Sequence, residues 1–265
     1  MNSNRREFIR DVTGTLSAVT ISSRALDASV GGVVAQPREA IKGIKAFAFD
    51  AYGTLFDVFS VTTLCEELFP GNGIALAQIW RRKQLQYSLL RSLMGRHKNF
   101  WFVTEDALVY AAKSLGVNLT SARRERLMEA YLTLSAFPDV RKGLELLKQK
   151  RIKLAILSNG EPRMLEQAAK SAGIDTLLDD IISVESVKIF KVSPRVYQLG
   201  LDRLQVSRTA LGFVSSNSWD ISGAASAGLT SFWIQREIDE PPDELGFAAA
   251  SVVNSLTELA SLVGV

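Results

Sequence analysis

The sequence predicts an α/β fold, a Rossmann-like parallel sheet flanked by helices with an inserted helical cap, and three observations predict it. Short apolar runs bounded by polar or glycine residues recur at Ala46–Phe49, Lys153–Leu157, Ile181–Ser183, Ala210–Val214 and Thr230–Ile234; runs of this length read as strands buried on both faces. Helical patterns at Val140–Lys150, Met164–Ala172 and Arg195–Leu204 alternate with the later runs, and that order implies parallel strands joined by right-handed crossovers. Between the first and second runs lie about a hundred residues rich in helix formers, far more than one crossover needs.

Taken in order, residues 1–28 carry Arg5, Arg6 and Phe8, a mildly apolar run from Val12 to Ile21, and small residues around Ala25. This segment resembles a twin-arginine export signal and sets the expectation of a periplasmic protein, the alternative being a cytoplasmic one with a basic leader. Seryl and threonyl residues dilute the apolar run and Arg24 interrupts it, so it is too short for a stable membrane anchor. Residues 29–43 read as a linker, broken by Gly31, Gly32, Pro37 and Gly43. The core domain is expected over 44–56 and 138–265. The cap subdomain is expected over 57–137, with helices near Leu76–Met94, Thr104–Leu115 and Ser121–Leu134.

With 265 residues, 47% hydrophobic and 22% charged, the chain has enough apolar material for a sizeable core, which excludes a disordered or collagen-like protein. Its 31 Lys and Arg against 28 Asp and Glu leave a net charge of +3. That excess is too small to argue for nucleic acid as a partner. The one basic cluster, Arg81, Arg82 and Lys83, reads equally well as a solvated helix face. A single cysteine, Cys65, excludes an internal disulfide and a zinc site built from several thiolates, and is expected in the core. With one histidine, His97, and no Gly-x-Ser-x-Gly turn, a hydrolase built on an imidazole base is disfavoured. Nor does a Gly-x-Gly-x-x-Gly turn follow any run, which argues against a nucleotide-dependent oxidoreductase. The chemistry is left to Asp, Glu, Lys, Arg and hydroxyls.

In an open parallel sheet, ligands sit at the carboxyl ends of the strands. The first run ends at Asp50 and the second at Ser158 and Asn159; the fourth ends at Ser215, Ser216 and Asn217, with Asp220 shortly after, and Lys191 and Tyr197 follow the third. Each alone has an ordinary explanation: Ser158 or Asn217 as a helix cap, Asp220 in a first turn, Lys191 in solvent. Capping does not explain why all of them gather at one edge of one sheet, so a functional site is expected there.

The segments FAFDAYGTLFD, LAILSNG, KIFKVSPRVYQ and FVSSNSWDISGA resemble, in order and spacing, the four motifs of the haloacid dehalogenase superfamily. IWRRKQLQYSLLRSLMGRHKNF is similar to the cap of the L-2-haloacid dehalogenases, and the resemblance covers roughly residues 44–260. It implies that Asp50 is the nucleophile, oriented by Thr54, and that Lys191 balances its charge. Ser158, with Asn159, holds the substrate carboxylate, and Arg81 grips the halide or the substrate. Asn217 and Asp220 position and activate water, while Tyr197 and Ser215 complete the polar network around Lys191. Tyr52, Leu85, Phe100 and Trp219 match the apolar pocket of that family, although aromatics at such spacings also serve as core. The resemblance further implies a small 2-haloacid as substrate and a homodimer.

Phosphatases of the superfamily carry a second Asp two residues after the nucleophile; here that position is Tyr52. A halide is the anion of a strong acid and departs without a proton, so the loss of the general acid favours carbon–halogen cleavage over phosphoryl transfer. The fourth motif offers Ser216 and Asn217 where phosphatases usually have paired acids, so neither metal nor cofactor is expected. A phosphatase or related hydrolase acting through Asp50 remains the alternative. Two positions depart from the resemblance: Val192, where proline is frequent, and Arg82, where glutamine is common.

Overall fold

The computed structural model describes residues 41–237 and 241–264. The expected leader, and the linker up to residue 40, lie outside the described residues.

Six parallel strands form one sheet in the order β3-β2-β1-β4-β5-β6. They are β1 (Ala46–Phe49), β2 (Lys153–Ser158), β3 (Asp180–Ser183), β4 (Leu211–Ser215), β5 (Thr230–Ile234) and β6 (Ser251–Val253). Every residue of β1 and β4 is buried, as expected of strands covered by helices on both faces. Phe47 meets Phe232 edge-on at 5.6 Å between ring centres. A ring removed from water this completely contributes ~1.5–3 kcal/mol.

The helices after β2, β3 and β4 follow local signals. Among these, α6 (Pro162–Ser171) and α7 (Pro194–Leu204) each open on a proline, whose missing N–H and fixed φ suit a first turn. α8 (Ser218–Ser226) follows β4 directly, and α9 (Leu256–Leu262) begins where Ser255 Oγ accepts from Glu258 N. Among the described residues, five helices precede β2: α1 (Thr62–Leu68), α2 (Gly73–Leu93), α3 (Phe100–Leu115), α4 (Ser121–Ala130) and α5 (Val140–Gln149). α3 is bounded by an Asn99 cap that accepts from Phe102 N and by Gly116 at φ 66°, where a side chain would be strained.

Several expectations shift at their edges. Ala210 belongs to a short 3₁₀ turn rather than to β4, and α4 stops at Ala130 because Tyr131, Leu132 and Thr133 tighten into i→i+3 turns. Neither β6 nor α1 and α9 was anticipated; each is too short to show a clear period.

The chain leaves β1 and returns to α5 through two adjacent segments. Phe137 N donates to Leu55 O at 3.0 Å and Asp57 N donates to Ser135 O at 2.8 Å, so the outgoing and returning connections are hydrogen-bonded to each other. The strand order reverses at β1, which has β2 on one side and β4 on the other. Connections diverge there and open a crevice beyond the carboxyl ends of the strands.

Candidate active site

Asp50 is the residue that follows β1, and its amide donates to Val214 O at 2.8 Å, which ties the loop to the neighbouring strand. Its carboxylate is nearly enclosed, 6% exposed. Oδ1 accepts from Lys191 Nζ at 2.8 Å; Oδ2 accepts from Thr54 Oγ1 at 3.1 Å and from Asn217 Nδ2 at 3.0 Å. Thr54 Oγ1 in turn accepts from Ser216 N at 2.8 Å.

Asn217 occupies the N-cap position of α8, yet its side chain makes no capping bond and turns to Asp50 instead. Ser215 Oγ accepts from Asn217 N at 3.1 Å. Asp220 does lie in the first turn of α8, but its carboxylate is fully buried against Lys191 and Tyr197. The capping reading of Asn217 thus fails, while Asp220 keeps its first-turn place with its carboxylate committed to Lys191 and Tyr197.

Lys191 is buried and spans two carboxylates, with Nζ 2.8 Å from Asp50 Oδ1 and 2.7 Å from Asp220 Oδ2. Burial opposes its charge, but Asp220 and Asp50 outweigh burial and raise its pKa above the usual lysine value. Its backbone N–H donates to Asn159 Oδ1 at 2.9 Å, and the Lys191–Val192 peptide is cis. Burial also drives the Asp220 carboxyl up to about 6, assisted by Asp50 and resisted by Lys191 and Tyr197. Tyr197 OH donates to Asp220 Oδ1 at 2.7 Å; its pKa is raised, first by burial and then by Asp220, so it stays a phenol.

Other expected residues lie around this cluster without touching the Asp50 carboxylate. Ser158 Oγ accepts from Gly160 N at 3.2 Å, shaping the turn after β2. Tyr52 stacks on Phe100 at 5.4 Å; the Tyr52 hydroxyl is buried with no hydrogen-bond partner among the described residues, and its pKa is raised well above the usual tyrosine value, chiefly by burial. Arg81 reaches from α2, donating through Nη2 to Tyr52 O at 2.8 Å and through Nη1 to Gln84 Oε1 at 2.8 Å. Arg81, Leu85, Asn217 and Trp219 line one cavity of about 490 Å³.

Arg82 is exposed, so the unexpected charge points away from the cluster. Cys65 is buried, with its thiol pushed up to about 12 by burial. His97 pairs with Glu185 at 2.9 Å and packs on Phe190. Among the described residues, no group of three or more His, Cys, Asp or Glu side chains is arranged to hold a metal ion.

Several positioning residues went unanticipated. Arg236, two residues past β5, donates to Thr54 O through Nε at 3.2 Å and Nη2 at 2.8 Å, and to Asp139 Oδ1 at 2.6 Å. Trp233 Nε1 donates to Ser216 O at 2.9 Å. Nothing in the sequence sets Gln84 and Thr104 apart from the other polar residues of α2 and α3.

Residues 44–228 match the model of the haloacid dehalogenase-like hydrolases. The chain is 45% identical over 206 residues to the (S)-2-haloacid dehalogenase of Pseudomonas sp. (strain YL), covering 76% of this chain and 89% of that protein. It is 40% identical over 209 residues to haloacetate dehalogenase H-2 of Moraxella sp. (strain B), covering 77% of this chain and 93% of that one. The structure of L-2-haloacid dehalogenase from Xanthobacter autotrophicus with chloropropionic acid covalently bound superposes with a TM-score of 0.78 at 37% identity, over 83% of this chain and 98% of that one. On fold, motif order and these similarities, the chain belongs to the haloacid dehalogenase-like hydrolases.

Proposed function

We propose that this chain hydrolyses short-chain L-2-haloalkanoic acids to D-2-hydroxy acids and halide, through an ester of Asp50 and with inversion at the halogen-bearing carbon. One observation carries the reading. Asp50 is held by three donors from three different segments, while the position two residues on holds Tyr52, a phenol whose raised pKa makes it a poor proton donor. Such a site holds a nucleophile but no acid for an alkoxide, and it suits a leaving group that needs none. The haloacid dehalogenases among the relatives, and the covalently bound chloropropionic acid in one of them, support the same reading.

In the first step, an Asp50 oxygen displaces halide from C2, and the electron pair of the carbon–halogen bond leaves with the halide. Fixed geometry lowers such a barrier by at most ~7–11 kcal/mol. Lys191, Thr54 and Asn217 hold the carboxylate, and Arg81 receives the departing anion with a delocalised charge that it cannot lose as a proton. Ser158 and Asn159 hold the substrate carboxylate, and Tyr52, Leu85, Phe100 and Trp219 shelter the alkyl group. In the second step, water adds to the Asp50 carboxyl carbon. The ester C–O bond breaks there, the departing oxygen, which came from Asp50, takes one of the water's two protons to give the hydroxy acid, and the other proton is released as Asp50 returns to a carboxylate. Asp220 takes that proton, its carboxylate held by Tyr197 and Lys191, with Ser215 fixing Asn217. Esterification removes the Asp50 charge, one of the causes holding Asp220 high, so the base ionises more readily once it is needed.

Residues 57–137 act as a cap that dries the site, supported by the paired connections at Leu55–Phe137 and Asp57–Ser135. The homodimer reading draws support from Leu89, Leu90, Leu93 and Met94, exposed apolar side chains at one end of α2; sedentation of the purified protein as a single-chain species would refute it. Export is supported by Arg5 and Arg6. Cell fractionation of the chain with both changed to Lys tests it, since unchanged distribution removes the signal. The activity itself is tested by chloride release. Purified protein frees chloride from L-2-chloropropionate without Mg²⁺ and leaves p-nitrophenyl phosphate intact; the opposite pair of results establishes a phosphatase.

A further inference from the structure

Arg81 reaches its place through Gln84, one turn further along α2. Gln84 is completely buried, an unusual site for a carboxamide unless all of its polar atoms are met. Its Oε1 accepts from Arg81 Nη1 at 2.8 Å and from Tyr131 OH at 3.4 Å, and its Nε2 donates to Thr104 Oγ1 at 2.7 Å. Thr104 Oγ1 spends its only proton on Phe100 O at 2.7 Å, so toward Gln84 it acts solely as an acceptor. This fixes the amide orientation, with nitrogen toward Thr104 and oxygen toward Arg81. Ser88 Oγ, on the same helix face, donates to Gln84 O at 2.8 Å, and Trp80 Nε1 donates to Thr104 O at 2.8 Å.

The consequence is electrostatic. Both acceptors that orient Arg81, the amide oxygen of Gln84 and the carbonyl of Tyr52, are uncharged, and among the described residues Arg81 is paired with no carboxylate. A buried carboxylate at position 84 would hold the guanidinium equally well and would cancel its charge. We infer that Gln84 is a positioning residue that aims Arg81 at the site while leaving its full positive charge for the departing halide. Thr104 acts through Gln84 by setting which end of the amide faces Arg81. The inference rests on the proposed role of Arg81.

The test measures kcat for chloride release and inhibition by added chloride in Gln84→Glu, Gln84→Met and Arg81→Ala, with thermal unfolding as the control for folding. Removing one donor that stabilises developing negative charge costs ~10²–10³-fold, and Arg81→Ala is expected to lose that much in kcat together with chloride inhibition. Gln84→Glu neutralises Arg81 and is expected to lower kcat by more than ~10-fold and weaken chloride inhibition to a similar degree. Gln84→Met, which keeps length and bulk and removes only the acceptor, is expected to lower both by about tenfold, and decides the matter where the buried carboxylate of Gln84→Glu prevents folding. A folded Gln84→Met protein with wild-type kcat and wild-type chloride inhibition overturns the inference. If Arg81→Ala itself leaves both unchanged, the role of Arg81 has failed instead; if only the Gln84 variants are silent, that role stands and this inference falls.

Discussion

Lys191 Nζ stands 2.7 Å from Asp220 Oδ2, and neither side chain has any exposure to solvent. Two buried carboxylates, Asp50 and Asp220, share this one ammonium, so the cluster carries more acid than base and the most enclosed carboxylate meets resistance to ionising. That is why burial pushes Asp220 up to about 6 despite the lysine.

A pH dependence follows. Ester hydrolysis requires Asp220 as a carboxylate, and the ester lacks the Asp50 charge that helps to hold this carboxyl at about 6, so the rate is expected to fall about tenfold per pH unit below a break that lies under about 6. Lys191, raised above the usual lysine value, produces no alkaline loss below pH ~10.4. For stability the signs run together. Both folded values are raised, so the contribution of Asp220 is full below pH ~3.9 and is lost as pH rises through about 6, while that of Lys191 is lost only above its raised value. Single-turnover hydrolysis of the ester between pH 4 and 8 checks the kinetic part, and a profile flat throughout contradicts it.

Removing either carboxylate should stop the reaction at a different place. Asp50→Asn is expected to reduce turnover by at least ~10⁴-fold, since nothing else in the site replaces the attacking oxygen. Asp220→Asn is expected to form the ester and hold it, visible as a mass increment on the intact protein after brief exposure to substrate. Free hydroxy acid at the normal rate from Asp220→Asn would show that the base lies elsewhere.

Gly223 lies where α8 passes Tyr197. A Cβ there would sit 2.4 Å from Tyr197 Oη and 2.8 Å from Val192 Cβ, and the tyrosine ring is fully buried and cannot swing aside. Gly223→Ala is expected to cost ~1–3 kcal/mol of stability through overpacking. It should also slow ester hydrolysis more than ester formation, because the displaced hydroxyl serves Asp220 and not Asp50. Equal effects on the two steps, from quench-flow measurements, would argue against that division.

Arg236 binds the carbonyl of Thr54 in the loop after β1, pairs with Asp139 at 2.6 Å and lies 4.2 Å from the centre of the Phe137 ring. It therefore fastens both connections of the 57–137 segment to the sheet. Breaking a wholly buried pair costs ~3–5 kcal/mol; with the residual exposure of these side chains, 10% and 17%, Arg236→Met is expected to cost ~2–3 kcal/mol. Denaturant unfolding checks this, and a change below ~0.5 kcal/mol would reduce the contact to surface decoration.

By itself the sequence determined five of the strands, their parallel direction and the polar residues at their ends. A strand buried on both faces needs an unbroken apolar run, and such a run has visible limits: Ala46–Phe49 and Thr230–Ile234 coincide with β1 and β5 residue for residue. The motifs follow because chemistry at a strand end stays close to that strand in sequence. Three-residue β6 escaped because so short a segment has no period. Only the tertiary structure decided which polar atoms meet: that Asn217 abandons its cap for Asp50, that Lys191 is buried between two carboxylates, and that Gln84 and Arg236 aim parts of the site from distant helices and strands. Hydrogen bonds and ion pairs act over about 3 Å between groups far apart along the chain, and local patterning carries no record of such distances until the chain is folded.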